Sequence, residues 1–433
     1  MNKFFFSVVA ILFASRLFAQ AAEPANYANA ALEFKIFYNT DHIDSIFNRF
    51  SPELKKALPE DKFIPTTSQL KKEIGALQQT EFVRLENGVA IYKAAFEKAV
   101  VMLNIGLDKN SEYTGLQLTP YQKSGAAGKT GAISNDEYTV ESPISVKTLS
   151  SNISGTLAVP KSATGKVPVV LIIAAAGQVD RDGNGGNLHA NSYKLLAAAL
   201  GKNGIASLRF DKRRVGESTA SGKEEDLHLD DYDDDVYALI DLLNNDKRFS
   251  RVILLGHGQG ALIGSLTATD ERVKALITVE GNADRADKVL TDQINRTYPA
   301  YIASNFKNVL DSLKRGKKQP KVDPGLYAIA RPSLQVYLMT WCRYDPVEQI
   351  KQVKVPILIV QGTTDIECET QNAERLKHSK LAQIVYIHGM GYALKEAPPA
   401  TDKDKNLATY KDADAPLKPE FVTAVVDFIN GLH

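Results

Sequence analysis

Cysteine is almost missing from this chain of 433 residues, which contains only Cys342 and Cys368. Two cysteines cannot staple a small loop-rich fold, so a packed core has to supply the stability, and one disulfide between them is left open. An excess of charge of one sign is missing too, because 52 basic and 51 acidic residues leave a formal charge of +1. That balance excludes any electrostatic reason to expect nucleic acid as a partner. The apolar stretch at the amino terminus, Phe4 to Ala14, falls well short of the roughly 20 residues that cross a hydrocarbon core. With Lys3 before it and Ala19-Gln20-Ala21 after it, the stretch reads as a signal peptide over residues 1–21. It predicts a periplasmic or secreted protein with no stable membrane span.

Apolar residues are plentiful at 44%, enough for a sizeable core and for two domains. Residues 22–120 open with helical spacing at Ala31, Phe34, Phe37, Ile43, Ile46 and Phe50. Alternating runs follow at Phe82 to Leu85, Val89 to Phe96 and Ala99 to Ile105. Helices followed by consecutive hairpin strands describe a small α+β domain. Residues 121–137 hold Gly125-Ala-Ala-Gly-Lys-Thr-Gly131 and read as a linker. A phosphate loop is not satisfied there, for want of the glycine upstream of Gly128-Lys129-Thr130.

From residue 138 to 433 apolar runs alternate with helical patterns. Ile144 to Leu149 and Ile153 to Val159 predict an opening hairpin. Val169 to Ala174, Ile205 to Phe210, Val252 to Leu255, Ala275 to Val279, Ile357 to Val360 and Ile384 to Ile387 then predict a mostly parallel, doubly wound sheet. Residues 286–344 are too long for one crossover and predict a helical lid over the carboxyl ends of the strands.

Gly256-His257-Gly258-Gln259-Gly260 stands between the apolar run Val252 to Leu255 and Ala261-Leu262-Ile263. This is the strand, sharp turn and helix of a G-x-S-x-G nucleophile elbow, with glycine at the nucleophile position. Other segments keep the same company and the same order: Asp180-Arg-Asp-Gly-Asn184, Leu208-Arg-Phe-Asp-Lys-Arg213, Gln361-Gly-Thr-Thr-Asp365, and Gly389-Met390 with Leu394-Lys-Glu-Ala-Pro398. Together they resemble the α/β-hydrolase superfamily, in its bacterial esterase and serine-aminopeptidase-like branch. The amino-terminal part is similar to the small NTF2-like domain that precedes such hydrolases.

The resemblance implies a triad of alcohol, imidazole and carboxylate. It assigns the acid to Asp365, the nucleophile position to Gly258 and the base position to Tyr392. A phenol of pKa about 10 is a poor proton acceptor at neutral pH. It also assigns an anion-binding pair of backbone N–H groups to Ala176 and Gln259, although Ala175-Ala176-Gly177-Gln178 departs from the usual turn. Arg214 departs as well, standing where glycine is usual. Four departures converge on one pocket while the scaffold motifs stay readable.

Three other readings compete. Gly256-x-Gly258-x-x-Ala261, with Glu280 ending the next strand, fits a dinucleotide fingerprint, which the elbow explains equally well. Asp180 to Gly185 matches half of a calcium loop, and Asp230 to Asp235 reads as a solvated helix start. Catalysis relocated to Ser218, His189, His257 or His388 has no pairing in the sequence. The expectation is a catalytically degenerate pseudo-hydrolase that binds a small molecule or a protein partner, with no cofactor and no metal. The alternatives are an active ester or small-amide hydrolase with a non-standard nucleophile, and a dinucleotide-binding protein.

Overall fold

The computed structural model describes residues 23–86, 88–120, 134–135, 137–186, 188–378 and 381–432. The expected signal peptide over 1–21 and most of the expected linker, with Gly128-Lys129-Thr130, lie outside them. The chain divides into two compact units, residues 1–124 and 125–433.

In the first unit, helices α1 (Ala25–Asn39), α2 (Ile43–Asn48), α3 (Pro52–Ala57) and α4 (Glu60–Ile74) precede an antiparallel sheet. Its strands are β1 (Leu77–Glu86), β2 (Val89–Phe96), β3 (Val100–Leu107) and β4 (Tyr113–Pro120), in sequential order. Strand β2 buries every second residue, Ala90, Tyr92, Ala94 and Phe96, and packs that face on Phe34, Tyr38, Ile46 and Phe50. Period-two burial against helices is what the alternating pattern demands.

The second unit is built on a larger sheet. Its strands are β5 (Ser134–Asn135), β6 (Thr139–Lys147), β7 (Ser151–Pro160), β8 (Val167–Ile173), β9 (Ala206–Phe210), β10 (Thr219–Ala220), β11 (Phe249–His257), β12 (Val273–Val279), β13 (Ile357–Gly362) and β14 (Ala382–Ile387). The order is β14-β13-β12-β11-β8-β9-β7-β6-β5, with β10 beside β7. The six strands from β14 to β9 run parallel, and β7 turns antiparallel to β9. Strand β5 pairs with β6, so the end of the expected linker belongs to the sheet.

Strands β9 and β13 are buried throughout, because helices cover both faces. One face meets α5 (Ser192–Lys202) through Leu196 and Leu200; the other meets α6 (Asp230–Asn245) and α7 (Gln259–Thr267) through Leu239, Leu243, Leu262 and Ile263. Helices α8 (Ala286–Thr297), α9 (Ala300–Lys314), α10 (Tyr327–Ala330) and α11 (Gln335–Trp341) gather around an apolar cluster that includes Ile294, Phe306, Leu310 and Leu338. Three short helices follow, α12 (Pro346–Ile350), α13 (Gln371–Leu376) and α14 (Lys403–Ala408), and α15 (Pro419–Asn430) joins α5 on its face through Phe421 and Val425. Among the described residues no helix is long and apolar enough to cross a membrane.

Candidate functional site

Strand β11 ends at His257 and helix α7 starts at Gln259, so the chain reverses on the single residue Gly258, at φ 54° and ψ −114°. That backbone is costly for any residue with a Cβ. The turn is pinned on both sides, by Gly258 N–H on the Val279 carbonyl (2.9 Å) and by Ala261 N–H on the Gly258 carbonyl (3.1 Å). A Cβ on Gly260 would lie 2.1 Å from the Ile173 carbonyl oxygen, so the helix can start this close to β8 only with glycine there.

What fills the space in front of Gly258 is Tyr392. A Cβ at position 258 would stand 2.5 Å from Tyr392 Oη, 3.4 Å from its Cζ and 3.5 Å from Ala175 Cβ. The phenol oxygen therefore occupies the room a serine side chain would use. The Tyr392 ring lies against His257 at a centroid distance of 4.4 Å and near Tyr410 at 6.1 Å. Burial, reinforced by the charge of Asp365, pushes its hydroxyl well above the usual phenol range. It stays protonated and can only donate or weakly accept.

His257 packs behind the turn. Its Nδ1 meets Tyr193 Oη at 2.9 Å, and the same oxygen accepts Ala175 N–H at 3.0 Å. The tyrosine proton is free to go to Nδ1, while Nε2 makes no hydrogen bond. Burial pulls the imidazole down to about 3, so this histidine is neutral.

Asp365 follows β13, as the triad pattern requires, and its Oδ1 accepts Glu367 N–H at 2.7 Å. Its buried Oδ2 has no ordinary donor, and no hydrogen bond joins it to Tyr392. The neighbour is instead a second carboxyl. Glu280, fully buried at the end of β12 with φ 50°, accepts Gly362 N–H at 2.8 Å and the Gln361 side-chain amide. Burial raises both groups, Asp365 to about 7 and Glu280 well above the carboxylate range, the latter also by the charge of Asp365. Two carboxyls in one dry site cannot both ionise readily, so burial and their mutual charge hold a proton on the pair. The acid that would orient a histidine is thus coupled to another acid.

Ala176 is exposed in the turn after β8, beside Gly177 at φ 89°, and Gln259 is the first residue of α7. Neither backbone N–H donates to a turn or loop carbonyl. The Gln259 side chain gives Nε2 to Tyr337 Oη of α11 at 2.5 Å and takes Lys212 Nζ on Oε1 at 3.2 Å. Lys212, Tyr193 and Tyr337 are the contributors that sequence reasoning missed, and Glu280 was named there only as the acid of a dinucleotide fingerprint. For Lys212 a signal existed, its place in the Leu208-Arg-Phe-Asp-Lys-Arg213 motif directly after a strand.

The competing readings meet specific geometry. Glu280 faces inward with both oxygens engaged, so it is not presented to a ribose. Asp180 Oδ1 accepts the N–H groups of Asp182 (2.9 Å) and Asn184 (2.8 Å), so the half calcium loop is a self-held turn. In the acidic run, Asp235 is not solvated; it is buried and paired with Arg213 at 2.8 Å. Ser218 Oγ donates to the Asp211 carbonyl at 2.7 Å and accepts Ser154 N–H at 2.9 Å, which makes it a loop tie. His388 is exposed, and His189 meets this region through its backbone N–H on the Tyr410 carbonyl. Arg214 adopts φ 65°, which explains why glycine is usual there. Both cysteines are free and buried. Two clefts of about 230 and 1100 Å³ lie elsewhere, one between α9 and α11 and one beside β13, β14 and α15; neither is lined by Gly258, Asp365 or Tyr392.

Comparison with known proteins gives the same direction. Residues 183–391 match the family described as serine aminopeptidase, S33, and residues 25–116 match a protein family of unknown function, DUF3887. Esterase EstD of Thermotoga maritima is 21% identical over 344 residues, covering 77% of this chain and 79% of its own. Among solved structures, Est1E from Butyrivibrio proteoclasticus is 18% identical with a TM-score of 0.43, covering 66% of this chain and 97% of its own. A hypothetical protein of Pseudomonas aeruginosa is 14% identical with a TM-score of 0.48, covering 74% of this chain and all of its own (100%). With the strand order and the elbow on one side and the two sequence matches on the other, the second unit has an α/β-hydrolase fold similar to the esterase and serine-aminopeptidase branch over residues 183–391, preceded by a DUF3887 domain.

Proposed function

We propose that this chain is an exported, catalytically silent α/β-hydrolase that uses its remodelled site to bind a small molecule or a protein partner rather than to hydrolyse it. One observation carries the reading: the Tyr392 hydroxyl stands 2.5 Å from where a Cβ at Gly258 would be, so nucleophile and base are lost in one mutually fitted exchange. Removal of nucleophile or base from a serine hydrolase costs on the order of a million-fold in turnover. What remains is binding by the groups around the turn. The esterase name of the Thermotoga relative suggests that the ancestral substrates were carboxylic esters, and a ligand resembling such an ester or its acid follows from that.

Purified protein is expected to hydrolyse p-nitrophenyl butyrate no faster than the buffer and to resist labelling by a fluorophosphonate probe. Stoichiometric labelling would establish a working nucleophile and end this reading in favour of an unconventional hydrolase. The variant Gly258→Ser with Tyr392→His is expected to recover weak ester hydrolysis, each single change staying at background. Export is checked by fractionation, with a mature chain that begins after residue 21.

A further inference from the structure

The cleft of about 230 Å³ between α9 and α11 has apolar walls, made by Leu310 and Leu313 of the first helix and by Leu338 and Met339 of the second. Cys342 completes them as a neutral group, because burial pushes its thiol up to about 12. Three cations, Arg285, Lys314 and Arg343, stand around these walls. Among the described residues no carboxylate lines the cleft.

The cations are only partly neutralised. Asp287, in the first turn of α8, takes Lys314 Nζ at 2.7 Å and Arg285 Nε at 3.4 Å, so one carboxylate serves two of them. Arg343 is exposed and has no carboxylate partner among the described residues. The Arg285 guanidinium also donates to the Cys342 carbonyl at 2.5 Å, which holds it at the rim. Beyond α9 the chain adds Arg315, Lys317, Lys318 and Lys321, all exposed. The carbonyls that end the two helices do not cancel this field with bare oxygens. Those of Ser312 and Leu313 accept Lys317 N–H (3.0 Å) and Gly316 N–H (2.8 Å), and that of Leu338 accepts Cys342 N–H (2.9 Å). A surplus of positive charge draws anions from solution, and an apolar recess favours the alkyl part of one.

We propose that this cleft binds an alkyl carboxylate, its chain lying between α9 and α11 and its head held at the rim by Arg285, Lys314 and Arg343. Drug-sized ligands fill pockets of roughly 300–1000 Å³, so a recess of about 230 Å³ suits a single short chain. The planar fork of a guanidinium matches a carboxylate, and two of the three cations carry one. The site is separate from the turn at Gly258 and does not depend on whether that turn is silent.

Sodium octanoate is the probe, and Trp341 is the reporter. It is the single tryptophan of the chain, directly precedes Cys342 and packs on the apolar cluster that supplies the cleft walls. The full mature chain is titrated below the micellar concentration, with tryptophan fluorescence and calorimetry read on the same sample. One saturable event is expected. Octanol, which lacks the charge, and acetate, which lacks the chain, are each expected to bind about tenfold more weakly or worse. No saturable signal in either measurement overturns the proposal, as does octanol binding equal to octanoate. Arg343→Glu is expected to weaken octanoate by about tenfold, while Lys321→Glu, the same charge change outside the cleft lining, leaves it nearly unchanged. Equal losses in the two variants mean diffuse attraction and overturn the cleft. A response confined to vesicles of phosphatidylcholine and phosphatidylglycerol points to a membrane surface and overturns it too. The comparison of octanoate with octanol needs no variant, and ester turnover by the same sample overturns only the silent reading.

Discussion

Gly258→Ala tests the fit between the turn and Tyr392 more sharply than any loss of activity. Two costs are expected, and they can be separated. The first belongs to the backbone: an alanine at φ 54° and ψ −114° carries strain of about 1 to 3 kcal/mol. The second belongs to the phenol, whose Oη stands 2.5 Å from the new Cβ and has to withdraw against His257 behind it. Repacking of this sort adds roughly 1 kcal/mol or more. Tyr392→Phe removes the offending oxygen and leaves Cζ at 3.4 Å, an ordinary contact. Since the hydroxyl has no hydrogen-bond partner among the described residues, Tyr392→Phe alone is expected within about 0.5 kcal/mol of the wild type. The double variant then retains only the backbone strain, so urea melts of the four proteins give a coupling of about 1 kcal/mol in favour of the double change. Additive costs, or a neutral Gly258→Ala, refute the claim that the tyrosine oxygen occupies the room of the missing side chain.

The carboxyl pair makes a second prediction. Asp365 rises from 3.8 unfolded to about 7 folded and Glu280 is raised as well, so the native state holds protons that the unfolded chain releases. Their contribution is fully present below the unfolded values and lost as pH rises through the folded ones. Stability is therefore expected to fall between about pH 4 and 7 by up to ~1.4 kcal/mol per pH unit for each proton retained. Glu280→Gln flattens that dependence; an unchanged slope in melts at several pH values rejects the shared proton. A third prediction concerns Cys342 and Cys368: the native protein should react with no thiol reagent and the denatured protein with two equivalents, whereas a denatured count of zero without reductant would reveal a disulfide.

The parallel sheet was legible because strands covered on both faces leave continuous apolar runs, as at Ile357 to Val360 and Val252 to Leu255. The sheet of the first unit was less so: β4, written Tyr-Thr-Gly-Leu-Gln-Leu-Thr-Pro, hides its alternation behind glycine and threonine. Gly258, Asp365 and Tyr392 were named through motif order alone; the structure brings Tyr392 against Gly258, while no hydrogen bond joins Asp365 Oδ2 to Tyr392. Glu280 and Lys212 were not legible as members of the site, because each acquires its role from partners distant in the chain, Gly362 and Gln361 for the first, Ala175 and Gln259 for the second. Asp235 was misread for the same reason, since its partner Arg213 lies on a different segment and takes it out of water.

The reciprocal fit at the turn also couples two positions that lie far apart in the chain. A side chain at position 258 and the tyrosine at 392 compete for one volume, so neither can be exchanged without regard to the other. A serine placed at 258 alone collides with the phenol, and a histidine placed at 392 alone finds no hydroxyl to deprotonate. Any route to a serine hydrolase at this turn therefore needs both substitutions together, with no single step that adds activity by itself.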